Sequence, residues 1–205
     1  MHISWLGTTA IRLQAKPFDE DIVIVIDPYR PAKGDFPRNL MPHIGLFTRG
    51  EEETITLSGD PFLLSMPGEI DTKGILVSAV EGFDEKSTML RIDAEQLSIG
   101  HLGLVNKQLT ERQLNLLSDV DILFVPVGGK DCYDAEQAVK AVNSIEPRIV
   151  IPVAFKSDND PDADSVEKFL KEIGSKNHEA PQKKVIIKKK DLPEEETRII
   201  VLEKE

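Results

Sequence analysis

The apolar residues of this chain change period near residue 110, and that change limits the fold more than any other feature. From Met1 to about Ile99 they fall in short runs bounded by turn formers: HISWL, AIRLQA, DIVIVID, HIGLF, TITL, FLLS, GILVSAV, STMLRID and QLSIG. Runs of this length and spacing predict strands. DIVIVID is apolar on successive residues, as a strand buried on both faces requires, whereas STMLRID alternates and suits a strand with one wet face. Beyond residue 110 strands and helices alternate. Thr110, Glu111, Arg112 and Gln113 form a capping-box pattern ahead of Leu114 and Leu117, so a short helix is expected there. DILFVPVGG then reads as a buried strand entering a double-glycine turn, and Asp134 is placed to cap a helix carrying the stripe Ala138, Val139, Ala141, Val142 and Ile145. RIVIPVAF is the next strand. Asp162 or Ser165 opens a third helix, with Val166, Phe169, Leu170 and Ile173 inward and Gly174 at its end, and KVIIK and TRIIVLE are the last strands. Strands first and strand–helix alternation later is a layered α/β (α+β) pattern.

At 205 residues, with no Gly/Ser-rich or Pro-rich linker and no repeat, the expectation is one domain over 1–205. No stretch approaches the apolar length of a membrane span, and no basic flank leads into an apolar segment at the N-terminus, so no membrane partner and a cytoplasmic location are expected. The lone cysteine, Cys132, excludes an intrachain disulfide and a cysteine-based zinc cluster. A net charge of -11 repels phosphate backbones, so nucleic acid is not an expected partner.

The four histidines, His2, His43, His101 and His178, include no pair at i,i+2 or i,i+4, the spacings that bring two imidazoles to one zinc. His101 alone follows a strand where a site is expected. It reads either as a buried histidine bonded to backbone or as part of a site. Asp27 ends a wholly apolar strand, which places a carboxylate at the edge of the core for backbone amides or for a ligand. Glu51, Glu52 and Glu53 read as a solvated turn, with a hard-cation site as the alternative. Gly128-Gly129 reads as a tight turn rather than an anion cradle, and Lys188 to Lys190 with Glu194 to Glu196 as charged flanks of a turn. Nucleotide fingerprints and the GxSxG nucleophile motif are missing.

Taken in order, ISWLGTTAIRLQ, VIVIDPY, GDPFLLSMPGEIDTKGI, LSIGHLGLVNKQLTERQLNLLSDVDILFVPVGG, YDAEQAV, IEPRIVIPVAFK and KKKDLPEEE resemble the metallo-β-lactamase superfamily, in its branch of short bacterial metal-dependent hydrolases related to L-ascorbate-6-phosphate lactonases. The resemblance implies a four-layer αββα sandwich with its site at the lip between two sheets. It also implies where metal ligands belong. The HxHxDH signature should follow HIGLF, but the positions hold Arg49, Glu51, Glu53 and Thr54. The GHS turn is Gly7-Thr8-Thr9, so Thr8 replaces its histidine; the bridging aspartate of HLGDLGH is Leu104; the late histidine is Ala154. His101 alone is kept. The implied cleft is therefore Thr8, Asp27, Arg49, Glu51, Glu53, Thr54, His101, Leu104 and Ala154, expected to be vestigial, without metal or catalytic residues. Arg49 is expected to replace the metal charge by bidentate bonds to the surrounding carboxylates.

Zinc catalysis needs three or more ligands and an activated water, so this pattern predicts a non-catalytic binding or assembly module, with no cofactor and with a small molecule, a protein or a second copy of the chain as partner. The alternative is a hydrolase with a rebuilt oxygen-ligand site, in which Asp27, Glu51, Glu53 and His101 hold Mn²⁺ or Mg²⁺ and act on a phosphate or lactone ester.

Overall fold

A computed structural model describes residues 1–38, 40–174 and 180–205; His178 lies outside the described residues. In chain order the strands of the first half are β1 (His2–Gly7), β2 (Ala10–Ala15), β3 (Ile22–Ile26), β4 (Ile44–Leu46), β5 (Phe62–Leu64), β6 (Gly68–Thr72), β7 (Ile75–Glu81), β8 (Thr88–Ala94) and β9 (Leu97–His101). Then come α1 (Glu111–Leu116), β10 (Ile122–Pro126), α2 (Ala135–Ile145), β11 (Ile149–Val153), α3 (Val166–Glu172), β12 (Val185–Ile186) and β13 (Arg198–Ile199). They form two mixed sheets, ordered β12-β1-β2-β3-β4-β5 and β13-β11-β10-β9-β8-β7-β6.

The sequence pattern explains which strand goes where. β10 and β11 are buried at every residue and pair in parallel, the arrangement that needs cover on both faces. β7 alternates buried and half-buried residues and sits in the antiparallel meander β6 to β9. Between the sheets, Ile3, Ile11, Ile24, Ile44 and Leu46 of the first meet Ile75, Val77, Leu90, Ile92 and Ile99 of the second in one apolar core.

The two outer faces differ. On the second sheet, α2 packs on β10, α1 on β7 and β8, and α3 on α2. Each helix begins near its expected signal. Thr110 and Gln113 bond reciprocally, as do Asp134 and Gln137, while Ser165 precedes α3 without a side-chain capping bond. Gly174, at φ +71°, follows α3 as expected. The outer face of the first sheet is covered by Leu6, Ala10, Val25, Tyr29 and Leu40 with Phe36, Ile55 and Leu57, drawn from strands and loops. The two-sheet sandwich that the resemblance implies is thus present, with loop in place of helix on that face among the described residues.

Two segments depart from the expected pattern. TITL forms no strand: only a bridge from Thr54 to Tyr29 survives, because Gly50 (φ +72°) and Glu53 (φ +60°) turn the chain just before it. GEIDT does form a strand, β6, at the sheet edge, where Glu69 and Asp71 are exposed and Ile70 is the lone apolar residue to signal it.

Candidate functional site: a hydrogen-bonded floor under two clefts

The cleft lies where β1, β3, β4, β9 and β11 end. Beneath these strand ends sit Asp27, 3% exposed, and His101, fully buried. Asp27 leaves β3 at φ +50°, which turns its carboxylate back against the sheet. Its Oδ1 accepts the Thr48 amide at 2.6 Å, and its Oδ2 accepts the Thr9 and Thr48 hydroxyls, each at 2.6 Å. His101 ends β9. Its Nδ1 accepts the Gly103 amide at 3.1 Å, so the ring proton is on Nε2, which donates to the Thr9 carbonyl at 3.0 Å. Burial holds the imidazole below its ordinary pKa of 6.5 and the Arg49 charge adds to that, with Asp27 and the Thr9 bond opposing, so the neutral ring is favoured. Thr9 thus joins the two groups, through its hydroxyl to one and its carbonyl to the other.

Thr8 and Ala154 form a second layer. Both have left-handed backbone, at φ +39° and +56°, a conformation that costs non-glycine residues about 1 to 2 kcal/mol. The Thr8 carbonyl accepts the Trp5 indole and the Ala154 amide, both at 2.8 Å, which holds the strained turns together. The Thr8 hydroxyl donates to Asp160, in the loop after β11. From the same loop, Asn159 accepts the Tyr29 hydroxyl at 2.9 Å and donates to the Lys33 carbonyl at 2.7 Å. A Cβ at Gly7, where φ is +118°, would run into Asn159 and the Tyr29 hydroxyl, so the close approach of this loop depends on glycine there.

The nine expected cleft residues do not share one cavity. Thr8, Leu104 and Ala154 line a cleft of about 260 Å³ with Gly128, Gly129, Cys132 and Asp160. Asp27, Arg49, Glu53 and Thr54 line another, of about 370 Å³, with Tyr29 and Arg30. The Tyr29–Asn159 bond links the wall of one to the wall of the other. His101 lines neither. Glu51 is exposed and accepts the Ser65 hydroxyl at 2.7 Å, and the Thr54 hydroxyl donates to the Glu51 carbonyl at 2.7 Å. Burial raises the Cys132 thiol to about 11, so it stays protonated and is a poor nucleophile.

Arg49 does not do what its position suggested. Among the described residues it makes no ion pair within 4.0 Å; its guanidinium lies 5.6 Å over the Tyr29 ring. The physical reason is that no unmet charge awaits it: Asp27 is neutralised locally by three donors, Glu52 is paired with Lys86 at 2.6 Å, and Glu51 and Glu53 are solvated.

A metal of the kind this fold implies does not fit these residues. His101 has spent both ring nitrogens, Asp27 accepts three bonds, and Leu104 and Ala154 offer no donor atom. No group of three His, Cys, Asp or Glu stands close enough to share an ion among the described residues, so Asp27, Glu51, Glu53 and His101 are not one donor set. Residues that sequence reasoning passed over do much of the holding: Thr9 and Thr48 in the floor, Asn159 and Asp160 in the covering loop, Tyr29 and Arg30 on the wall. The Asn/Asp-rich run 158–164 was the visible signal for the loop, but it equally describes a plain turn.

Comparison with known proteins agrees with the architecture. Residues 2–154 match the family model of the β-lactamase superfamily domain, and the chain belongs to that family. Among solved structures, a candidate Zn-dependent hydrolase of the metallo-β-lactamase superfamily from Thermotoga maritima superposes with a TM-score of 0.82 at 22% identity over 98% of both chains. Igni18, a metallo hydrolase from Ignicoccus hospitalis, gives 0.63 at 15% identity over 85% of this chain and 90% of its own. A candidate metal-dependent hydrolase from Parabacteroides distasonis gives 0.64 at 14% over 98% and 91%. At these identities the likeness is one of fold. No helix among the described residues is long and apolar enough to cross a membrane.

Proposed function

We propose that this chain is a member of the superfamily without a hydrolytic metal centre, a cytoplasmic binding or assembly module that presents the remodelled cleft to a small molecule or a protein, a second copy of itself included. The observation that carries this reading is the floor: Asp27 and His101, the two groups of ligand chemistry there among the described residues, are engaged by Thr9, Thr48 and Gly103. Recruiting both groups as metal ligands would disturb the five hydrogen bonds they make, and buried groups left unpaired cost about 1 to 3 kcal/mol each. The hydroxide that a bound zinc would generate then has no source, and the Cys132 thiol in the neighbouring cleft is held protonated by burial.

Elemental analysis of tag-free protein, with assays on lactone, β-lactam and phosphodiester substrates, tests the reading. The expected result is no stoichiometric zinc or manganese and no hydrolysis above buffer. About one metal per chain surviving dialysis, lost on mutating His101, would overturn it in favour of a rebuilt hydrolase.

A further inference from the structure

Two arginines line the 370 Å³ cleft, Arg30 and Arg49, and neither has an ion-pair partner among the described residues. That is unusual in a chain of net charge -11, with three consecutive glutamates beginning two residues after Arg49. Three acids line the same cleft, but two of them have partners of their own: Asp27 bonds Thr9 and Thr48, Glu52 takes Lys86, and Glu53 is exposed to solvent, while Glu51, outside the cleft, takes Ser65. The walls are also held in place. The Arg30 amide bonds the Glu53 carbonyl at 2.6 Å, the Ile55 amide bonds the Pro28 carbonyl at 2.7 Å, and Arg49 lies over a Tyr29 ring pinned by Asn159. Arginine held by stacking loses less freedom when its fork closes on an anion, and guanidinium geometry matches carboxylate and phosphoryl oxygens.

We propose that this cleft binds the anionic group of a small molecule, phosphoryl or carboxylate, through Arg30 and Arg49, the arginines supplying the positive charge that a metal supplies in relatives with an intact centre. The inference rests on the reading that the floor holds no metal. A small ligand is favoured over a nucleic acid because the overall negative field repels a polyanion, while a single anionic group needs only the local pair.

The test is calorimetric titration of the full chain at low ionic strength with inorganic phosphate and, separately, with succinate. Wild type is expected to bind at least one of them, which also identifies the source of the anionic group, and R49Q and R30Q are each expected to weaken it about tenfold or more. K188Q/K190Q, in the separate cleft that these lysines line with Lys16 and His2, should leave it unchanged. Both arginines are exposed, so the variants should keep the wild-type melting point. Failure of both probes to bind wild type, or unchanged binding in R30Q/R49Q, would overturn the anion site and leave the metal-free reading standing. Binding that appears only with added Zn²⁺ or Mn²⁺ would overturn both.

Discussion

The floor and the rim of the cleft solve the same electrostatic problem in opposite ways. In the floor, a buried carboxylate and a buried imidazole are surrounded until nothing is unmet: two hydroxyls and two amides donate, and one carbonyl accepts. On the rim, Arg30 and Arg49 remain without ion-pair partners among the described residues although acids are close by. The difference teaches where each kind of chemistry survives. Burial makes an unpaired polar group costly, so the groups of the floor are satisfied within the protein, whereas solvent tolerates a waiting charge on the rim.

The comparison breaks most readily at Asp27. Asp27→Ala strands three donors in a dry site and should cost about 3 to 5 kcal/mol in denaturant unfolding. Asp27→Asn, which keeps one acceptor oxygen and suits a positive φ, should cost less. Equal losses in the two variants would mean that the carboxylate is not the hub. The covering loop comes next. Asn159→Ala removes the bonds to Tyr29 and Lys33 and should cost about 1 to 3 kcal/mol, with faster proteolysis between 156 and 165.

The floor should also respond to acid. His101 has a folded pKa below its unfolded value of 6.5, so its stabilisation is complete above pH 6.5 and is lost as pH falls toward the lower folded pKa. Stability of wild type should therefore decline below pH 6.5 by no more than about 1.4 kcal/mol per pH unit from this group, and His101→Gln should flatten that decline. Parallel wild-type and variant profiles would contradict it. The smallest effect lies away from the cleft. Asp134→Ala removes the bond to the Gln137 amide and should cost about 0.5 to 2 kcal/mol without altering anion binding, which separates scaffold from site.

Features set by neighbours in sequence were legible, and those set by distant partners were not. The caps at Thr110 and Asp134, the burial of β3 and β10, and the glycine after α3 depend on residues within one turn or one strand. The strand ends that carry Asp27, His101 and Ala154 also followed from strand order. What closes the cleft was hidden, since His101 meets Thr9 across 92 residues and Thr8 meets Asp160 across 152. Aligning Arg49 with a lost ligand suggested charge replacement, but alignment counts the carboxylates without showing which hydroxyls already neutralise them. Likewise, the loop layer over the first sheet has no periodicity to betray it; Leu40 and Phe36 are apolar residues in a turn-rich stretch until the fold brings them against Val25.

Nitrogen-detected NMR of the His101 side chain tests the central claim most directly, because the ring nitrogens report proton position and metal ligation separately. The account predicts a neutral ring at pH 7.5, protonated at Nε2, with both signals unmoved by excess Zn²⁺ or Mn²⁺. A proton on Nδ1, or saturable displacement or broadening of the Nε2 signal by metal, would contradict it and return the site to metal chemistry.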